Sequence, residues 1–497
     1  MRKPFNILFS CAPSRSDLAF LLGRFGSFHS FNGFDEIKLI LHLLKKSQKE
    51  QEDQKSQVEK LAKTFNVNCE IFFAPAPTNF TNFDLLFIPS NESNIKAKKD
   101  LAKSQKIPFF AHKKEATLRR ILKFLRDFAM NLTDYLASFC AKYSKKSSQK
   151  ICILRPDGIG DFVLFANFLE HLNTHFGEVT LISNQAFGDL IIPFSNYISK
   201  NITLNRKKFL QNIIYRFKFI YKLKKMHFEL FINPLFSRDL LSESVAKNVI
   251  SDVKIAQTGN CINLDFKKLK QFNKNYSFII KSEDDIIFEF YRNKIFFEKL
   301  LKKPLYPKLE IDVSRKNMPH EFGDLKNPFV LFIGASSALR KWAFFGDIAE
   351  FLLQNGFDIA ICGGKEDAKR ADEILKNTEK TAQKYARSVM NLCAKTTLMD
   401  LAKILQNAPV LTNETGAAHI AKAVQSKQIY VIYNGNNAKR FAPYPDTLNP
   451  KSKYCLIKHE VMEWDFDRYA VFSNHLFANL QINEISPDLV IKAIKLS

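Results

Sequence analysis

Short apolar runs alternate with amphipathic helical segments along this chain, and they divide it into three blocks. In the first block, residues 1–145, apolar strands are predicted near residues 6–10, 69–75, 83–89 and 107–111. A charged, solvated helix is predicted around residues 41–64. A second helix has apolar residues at helical spacing, namely Leu118, Ile121, Leu122, Leu125, Phe128 and Leu132. The pattern predicts a small additional α/β domain, and the basic stretch YSKKSSQK at 143–150 is interpreted as its linker.

The second block, residues 151–322, begins with ICILRPDGIGDFVLFANFLEHL. Its first four residues predict a buried strand, residues 155–160 a turn with two glycines, and the apolar positions from Phe162 onward a helix. Further strands are predicted at 179–183 and 229–234. Asp161 therefore lies in the first turn of a helix, beyond the carboxyl end of a strand, where open α/β sheets bind ligands. It either caps that helix or presents a carboxylate to a cleft.

The third block, residues 323–497, alternates strands and helices with unusual regularity. Strands are predicted at 329–334, 358–364, 409–412 and 428–433, and helices at 344–354, 366–376, 398–406 and 417–424. This alternation is typical of parallel strands joined by crossover helices.

Several loops of the third block carry groups that suit phosphate oxygens. The loop GASSALRKW, residues 334–342, supplies the hydroxyls of Ser336 and Ser337 and the cations of Arg340 and Lys341. In NETGAAHIAKAV, residues 413–424, a strand turns into a helix at Thr415 and Gly416. The start of a helix directs free N–H groups and a positive dipole end at one point, so it is either an ordinary capped helix or an anion site.

The charge balance indicates an acidic partner. Among 497 residues, 74 are Lys or Arg and 50 are Asp or Glu, a net charge of +24. Nucleic acid, anionic lipid and phosphorylated substrates all fit such a charge. The segment 206–225, RKKFLQNIIYRFKFIYKLKK, contains no acid and is predicted to be one amphipathic helix. It either faces only its own core or docks on an acidic surface; we expect docking on a phosphorylated lipid acceptor or anionic membrane through Arg206, Lys207, Lys208, Arg216, Lys218 and Lys222.

The remaining composition narrows the setting. Eight cysteines are scattered without a Cys-x-x-Cys pair or a His at ligand spacing, which indicates reduced thiols of a cytoplasmic protein and no metal site. The apolar run after Met1 ends too soon for a secretory signal, and no apolar stretch approaches the roughly 20 residues that span a bilayer. Any membrane contact is expected to be peripheral.

The ordered motifs resemble one known family. ILRPDGIGDFVLFANFLEHL, GASSALRKW, GGKEDAKRADEI, TNETGAAHIAKAV, AKRFAPYP and ISPDLVIKAI are similar to those of the heptosyltransferases, the family 9 glycosyltransferases of the lipopolysaccharide core. The resemblance covers roughly residues 151–497. It implies a GT-B fold of two Rossmann-like domains, with the acceptor held by residues 151–322 and the nucleotide sugar by residues 323–497. It also implies inverting, metal-independent transfer, usually from ADP-heptose.

The resemblance assigns roles to the residues that match its motifs. Asp161 is the implied base for the acceptor hydroxyl. The implied nucleotide-sugar ligands are Ser336, Ser337, Arg340 or Lys341, Glu366, Glu414, Thr415, Gly416 and His419. Thr415 and Gly416 would hold the diphosphate, His419 would support them, Glu366 would bind ribose, and Glu414 would accept hydrogen bonds from the donor sugar. Glu414 stands where the family usually has aspartate.

Together with this resemblance, these observations favour a metal-independent glycosyltransferase that needs no cofactor other than its donor. We expect a heptosyltransferase that acts on a lipopolysaccharide or lipooligosaccharide core at the inner face of the cytoplasmic membrane. Two alternatives remain. One is a non-catalytic protein on a doubly wound fold that binds a nucleotide sugar or nucleic acid, although no nucleic-acid-binding module is recognisable. The other is a degenerate glycosyltransferase that uses its sugar site for recognition, against which the presence of Asp161 argues.

Overall fold

The computed structural model describes residues 117–142, 144, 146–283, 286–459, 462, 466–467, 470, 473 and 480–495, together with five strands within residues 5–111. Its strands form three sheets, and neighbouring strands in each sheet run parallel. The predicted fold class is confirmed: two α/β domains with parallel sheets follow an additional sheet.

The first sheet has the strand order β3-β2-β1-β4-β5. Its strands are β1 (Phe5–Phe9), β2 (Ile37–His42), β3 (Cys69–Ala74), β4 (Leu85–Ile88) and β5 (Phe109–Ala111). The sequence analysis missed β2, and it was wrong to begin a helix at residue 41. The run IKLILH is continuously apolar but for its second and last residues, as is usual for a parallel strand. The rest of the helix predicted around 41–64 lies outside the described residues.

The long helix α1 (Thr117–Cys140) leads to the second sheet, as predicted. The linker interpretation of residues 143–150 was wrong for its second half, because strand β6 spans Ser147–Arg155. Ser147 and Ser148 pair with a neighbouring strand at Met226 and His227. Backbone hydrogen bonds extend this strand beyond its apolar core, so its exposed polar start could not be recognised from side-chain pattern.

The second sheet has the order β11-β10-β9-β6-β7-β8. Its other strands are β7 (Val179–Asn184), β8 (Lys200–Leu204), β9 (Met226–Asn233), β10 (Ile250–Gln257) and β11 (Phe278–Ile280). The helices of this part are α2 (Ile159–Ala166), α3 (Phe168–Phe176), α4 (Arg206–Gln211), α5 (Ile213–Lys224), α6 (Leu240–Asn248), α7 (Phe266–Asn273) and α8 (Glu289–Leu301), with a 3-10 segment at Gln185–Tyr197.

The basic segment 206–225 is two helices and not one. Asn212 separates α4 from α5, and its side chain accepts a hydrogen bond from the backbone N–H of Tyr215 at 2.9 Å. Asparagine is a favoured N-cap because its short side chain satisfies a free N–H at a helix start. Ile213 and Ile214, the first two residues of α5, are exposed.

The third sheet has the order β14-β13-β12-β15-β16-β17. Its strands are β12 (Pro328–Phe332), β13 (Asp358–Cys362), β14 (Val389–Asn391), β15 (Val410–Asn413), β16 (Gln428–Tyr433) and β17 (Lys453–Lys458). The helices are α9 (His320–Gly323), α10 (Phe345–Gln354), α11 (Ala368–Lys384), α12 (Leu398–Asn407), α13 (Gly416–Ala423) and α14 (Pro487–Lys495), with 3-10 turns at Ala338–Arg340, Lys365–Asp367 and Ile482–Glu484. The predicted alternation of strands and helices in this block is confirmed.

The second and third sheets face each other through α2 and α13. One apolar cluster includes Phe162 of α2 and Ala417 of α13, so the core is continuous between the two sheets. A Cβ atom added at Gly416 would lie 2.9 Å from the Cβ atom of Ile159, and only glycine permits this approach. The contact fixes two helix N-termini beside each other. Within the described parts of the chain, no helix combines the length and the apolarity needed to cross a bilayer.

Candidate functional site

A cleft of about 1060 Å³ lies between the carboxyl ends of the second and third sheets. It is lined by turns that follow β6, β12, β13 and β15. Nine of the residues singled out in the sequence line it: Asp161, Arg206, Ser336, Arg340, Glu366, Glu414, Thr415, Gly416 and His419. Strand ends on one edge of each sheet therefore bring together groups up to 258 positions apart in the chain, as His419 and Asp161 are.

Two helices begin at this cleft. Thr415 precedes α13 in an extended conformation, and its side chain makes no capping hydrogen bond. The N-terminus of α2 is closed by Asp161, whose Oδ2 accepts a hydrogen bond from the backbone N–H of Gly158 at 3.2 Å. Because the first N–H groups of a helix have no partner within it, the start of α13 offers donors to an anion.

A buried arginine, Arg155, binds the backbone of Asp161. Arg155 donates from Nη2 to the backbone carbonyl of Asp161 at 3.0 Å, and its guanidinium lies 4.9 Å from the ring centroid of Phe165. Burial raises the pKa of the Asp161 carboxyl; the charge of Arg155 opposes this, and the carboxylate of Glu289 adds to it. A carboxyl group with a raised pKa is a stronger base than an ordinary aspartate.

Asp157 is a second carboxyl group in the same turn, and the sequence analysis did not single it out. Its Oδ2 lies 2.9 Å from Nη2 of Arg155, while its buried Oδ1 has no hydrogen-bond partner within the protein. Burial raises the pKa of Asp157 to about 7, Arg155 lowers it, and the neighbouring Asp161 raises it. The sequence did contain an indication of this carboxyl group. Arg155 and Asp157 form an Arg-x-Asp pair at the end of an apolar strand, where two charged side chains are more often part of a site than of the core.

Arg440 and Glu289 form another part of the cleft wall that sequence reasoning missed. Arg440 donates from Nε to Oε2 of Glu289 at 2.7 Å, and the backbone N–H of Glu289 donates to the carbonyl of Arg440 at 2.8 Å. Both side chains are buried. Burial acts to raise the pKa of Glu289, but Arg440, together with the charges of Arg292 and Arg155, lowers the pKa overall. Arg440 lies within AKRFAPYP, a motif quoted for the resemblance without a role for this residue.

The two cations of the loop after β12 have different positions. Arg340 lines the cleft and donates to Oε2 of Glu414 at 3.0 Å and to Oγ of Ser336 at 3.2 Å. Lys341 lies outside the lining, where its Nζ contacts Oδ1 of Asp367 at 3.3 Å. Of the two candidates for a phosphate-binding cation, the geometry favours Arg340.

Ser337 also lies outside the lining residues of the cleft. Its hydroxyl oxygen accepts a hydrogen bond from the backbone N–H of Leu339 at 3.3 Å and so caps the short 3-10 turn that follows. Glu414 is 7% exposed, and burial raises its pKa although Arg340 opposes this. The loop therefore presents one hydroxyl, that of Ser336, beside one cation.

His419 is buried one turn into α13. Its Nδ1 lies 2.6 Å from the hydroxyl oxygen of Tyr444. Burial, assisted by the positive charge of Arg340, lowers the pKa of His419 to about 4. The imidazole is therefore neutral at pH 7 and can support the cleft only through hydrogen bonding and packing.

The six basic residues expected to dock a membrane or phosphorylated lipid do not form one surface. Arg206 lines the cleft and contacts Oδ2 of Asp239 at 2.7 Å. Arg216 is buried and donates from Nη2 to Oδ2 of Asp134 at 2.7 Å. The expectation that no acid answers these charges was wrong for both, because the acids come from α1 and from the start of α6. Lys207, Lys208, Lys218 and Lys222 are exposed.

Within the described residues, no group of three or more His, Cys, Asp and Glu side chains has the arrangement of a metal site. The positive groups around the cleft are Arg206, Arg340 and Arg440 and the start of α13.

The similarities to known proteins agree with the motifs. Residues 273–462 match the model of glycosyltransferase family 9 (heptosyltransferase). A 121-residue stretch, 24% of this chain, is 26% identical to the lipooligosaccharide heptosyltransferase 2 of Haemophilus ducreyi, and the match spans 32% of that relative's length.

Two solved structures share the fold. A family 9 glycosyltransferase from Veillonella parvula superposes with a TM-score of 0.52 and 15% identity, over 71% of this chain and 98% of that one. The E. coli heptosyltransferase WaaC, solved with ADP-2-deoxy-2-fluoro heptose, superposes with a TM-score of 0.50 and 14% identity, over 70% and 99%. The resemblance read from the motifs is thereby confirmed, and over residues 273–462 this chain is similar to the glycosyltransferase family 9 (heptosyltransferase) model.

Proposed function

We propose that this protein is an inverting, metal-independent glycosyltransferase that transfers heptose from ADP-heptose to a lipopolysaccharide or lipooligosaccharide core. The observation that carries the proposal is the cleft itself. It holds a half-buried carboxyl group with a raised pKa, Asp161, on the side of the second sheet and a set of groups suited to an anion on the side of the third sheet. Such a pair of walls suits a base for the acceptor and a seat for a leaving diphosphate.

The donor would be held by the third sheet. Its diphosphate would accept hydrogen bonds from the free N–H groups at the start of α13, with the guanidinium of Arg340 and the hydroxyl of Ser336 beside them. Glu366 lines the cleft beyond β13, where it would bind the ribose hydroxyls. Adenosine diphosphate as the carrier is supported by the relatives, one of which was solved with an ADP-heptose analogue.

Glu414 would accept hydrogen bonds from hydroxyl groups of the donor sugar. It is paired with Arg340, so its carboxylate is oriented, and a carboxylate placed directly on the diphosphate would repel it. The glutamate is one methylene longer than the aspartate that the family usually has here. A shift of the carboxylate by about 1 Å is enough to change which sugar is held productively. Heptose is therefore the donor that the family similarity favours, and Glu414 is the residue through which another sugar would be selected.

The transfer conserves atoms and charge in a single displacement. A hydroxyl oxygen of the acceptor forms a bond to C1 of the sugar while the bond from C1 to the diphosphate oxygen breaks, and the bonding electrons leave with ADP. Asp161 accepts the hydroxyl proton late in the step. The start of α13 and Arg340 stabilise the negative charge that develops on the leaving diphosphate. Attack from the face opposite the diphosphate inverts C1.

The acceptor would enter beside the second sheet. Arg206 lines this part of the cleft, and Lys207 and Lys208 continue from it on the surface of α4. Phosphate groups on a core oligosaccharide would be attracted to these cations. A lipid-linked acceptor would place the protein peripherally on the anionic inner face of the cytoplasmic membrane.

A transfer assay tests the proposal. The full chain is incubated with ADP-heptose and a lipid-linked core acceptor, and the product is weighed by mass spectrometry. Addition of one heptosyl unit by the wild type, loss of it in Asp161→Asn, and its retention in Asp347→Asn are the expected results. Asp347 is an exposed carboxyl group on α10 and serves as the matched control. If only another nucleotide sugar supported transfer, heptose would be rejected as the donor sugar. If no donor gave transfer or release of its nucleotide, the proposal that the protein is a glycosyltransferase would be rejected.

A further inference from the structure

Helix α1 turns a row of large apolar side chains outward. Six side chains between Leu125 and Phe139 are at least 45% exposed, and they recur at intervals of one, three and four residues: Leu125, Phe128, Leu132, Tyr135, Leu136 and Phe139. Residues at three- and four-residue spacing share one face of a helix. Single exposed apolar residues are ordinary on a protein surface, but six along one helical face mark an interaction surface.

The opposite side of α1 is fixed to the second domain. Asp134 is buried and accepts hydrogen bonds from Arg216 of α5 and from Asn248 of α6, at 2.7 and 3.0 Å. Ala137, one turn further along, belongs to the same apolar cluster as Phe219 and Leu223. The buried ion pair between Asp134 and Arg216 fixes the rotation of α1 about its axis. The apolar row on the other side of the helix therefore faces outward.

The junction of α4 and α5 adds apolar residues on the neighbouring helix pair. Leu210, Ile213 and Ile214 are 38%, 52% and 65% exposed, and Ile213 lies one turn from Arg216, the residue that joins α5 to α1. At its other end α4 begins with Arg206 in the cleft. The segment that carries these exposed residues therefore reaches, through α4, the side of the cleft proposed for the acceptor.

Exposed lysines accompany these apolar residues. Lys142 and Lys146 follow α1, Lys207 and Lys208 lie on α4, and Lys218 and Lys222 lie on α5. An apolar row that is flanked by cations is the pattern of a helix lying in the plane of an anionic lipid surface, where the side chains enter the headgroup region and the lysines meet the lipid phosphates. A soluble protein partner would not require this many cations around an apolar row.

We propose that this α1 face, defined by Leu125, Phe128, Leu132, Tyr135, Leu136 and Phe139 together with Ile213 and Ile214, binds an anionic bilayer. This inference rests on the proposed function in one respect: a lipid-linked acceptor requires the cleft to be near a membrane. Docking through α1 and the start of α5 brings the Arg206 side of the cleft toward the lipid surface. The basic residues of α4 and α5 thus act together with an apolar anchor that the sequence analysis did not recognise.

Tryptophan fluorescence in the full chain tests the occupant of this face. Phe128→Trp is compared with Tyr306→Trp, a control at a side chain that is 80% exposed, and both with the wild type to subtract the two native tryptophans. With vesicles of phosphatidylcholine and 30% phosphatidylglycerol, the indole at position 128 is expected to shift to shorter wavelength and to be quenched by brominated lipid. The control indole should do neither.

Other occupants would have their own signature. An indole at position 128 that is shielded from acrylamide without vesicles would show that another part of this chain covers the face, and shielding that grows with protein concentration would show a second copy. Either result would overturn the proposal, as would equal binding to pure phosphatidylcholine vesicles.

A second pair of variants separates docking from the donor site. Phe128→Ser with Leu132→Ser should weaken sedimentation with anionic vesicles at least tenfold, whereas Tyr306→Ser should change it less than twofold. Calorimetry with ADP on the same variants should give unchanged affinity, because the face does not line the cleft. Unchanged vesicle binding by the double variant would reject membrane binding through the α1 face, whether or not the protein is a glycosyltransferase. Absence of ADP binding in the wild type and all variants would reject only the proposed donor site.

Discussion

Gly160 and His419 lie so close that a Cβ atom on Gly160 would be 2.9 Å from Nε2 of His419. The two residues lie in the first turns of α2 and α13, helices that follow strands of different sheets. The absence of a side chain at position 160 allows the two helix starts to share one cleft. The spacing between Asp161 and the start of α13 therefore depends on a glycine.

We expect Gly160→Ala to separate the two helix starts. The added methyl group would overlap the buried imidazole of His419, which cannot move freely because Nδ1 is bonded to Tyr444. Sugar transfer should fall at least tenfold, because displacements of about 1 Å at a reacting centre have effects of that order or larger. Steady-state kinetics with saturating donor measures the effect.

The control for this substitution is Gly346→Ala in helix α10. A Cβ atom there would meet nothing within 4 Å, so activity should be unchanged and stability equal or slightly higher. Equal activities in the two alanine variants would show that the close approach of Gly160 and His419 is not required.

Asp157 and Asp161, the two carboxyl groups in the turn after β6, should make kcat/KM fall on the acid side of its pH profile. The base must be ionised, and burial raises the pKa of Asp161 and brings that of Asp157 to about 7. kcat/KM should fall about tenfold per pH unit below the apparent pKa, which belongs to the pair. Asp157→Asn removes a neighbouring negative charge, so the limb should move to lower pH, whereas Asp161→Asn should abolish transfer at every pH. An unmoved limb in Asp157→Asn would contradict the coupling.

The two cations of the 334–342 loop should differ in their effect on ADP affinity. Arg340→Met removes a charged donor at the cleft, and a charge-assisted hydrogen bond is worth about 1.5–3 kcal/mol, or about 10- to 100-fold in affinity. Lys341→Met should change ADP affinity less than about threefold. Glu414→Gln is added to both variants so that the buried carboxylate partner of Arg340 is absent from both. Calorimetry that gave the larger loss for Lys341 would reverse the assignment.

His419 should make stability depend on pH. Its pKa is about 4 in the folded protein and near 6.5 in an unfolded chain, so the unfolded state binds more protons between these values. The free energy of unfolding should therefore fall as the pH is lowered from 6.5 to 4, by about 3 kcal/mol from this group. His419→Asn should flatten that part of the stability profile in denaturant titrations. A profile of the same slope in the variant would exclude His419 as its source.

The ion pair between Arg216 and Asp134 should be structural. Replacing Arg216 by Met leaves a buried carboxylate and should lower the free energy of unfolding by about 3–5 kcal/mol. Adding Asp134→Leu should restore part of this loss, because a buried pair can be exchanged for apolar residues at little cost. If Arg216→Met were as stable as the wild type and instead bound anionic vesicles more weakly, Arg216 would be a lipid contact after all.

Seven strands of the last two domains were predicted from the sequence because buried parallel strands are apolar runs. The strands that were not predicted are β8, β10, β11, β14 and β17. The turns after β6 and β15 could be placed at one sheet edge for the same reason. Strand β2 was missed although its run is apolar. The polar start of β6 was not predicted because it lacks the side-chain pattern by which strands are recognised. The break at Asn212 depends on one capping side chain within a uniformly basic segment.

The loops that line the cleft beside the third sheet were predicted better than the buried charges of the cleft. Ser336, Arg340, Glu366, Glu414 and Thr415 lie in loops at strand ends, where local sequence indicates their position. The partners of Arg155, Arg216 and Arg440 come from turns or helices that lie elsewhere in space, and the pairing of Arg440 with Glu289 joins residues 151 positions apart. Long-range ion pairs of this kind are visible only when the fold is known.

The central claim is that the cleft binds a nucleotide sugar at the start of α13. Calorimetry of the purified full chain with ADP, UDP, GDP and their sugars tests it most directly, beside a Thr415→Arg variant whose side chain would occupy the phosphate position. We expect selective binding of ADP or ADP-heptose by the wild type and loss of that binding in the variant. Absence of binding to every nucleotide by the folded wild type, or unchanged binding by Thr415→Arg, would contradict it.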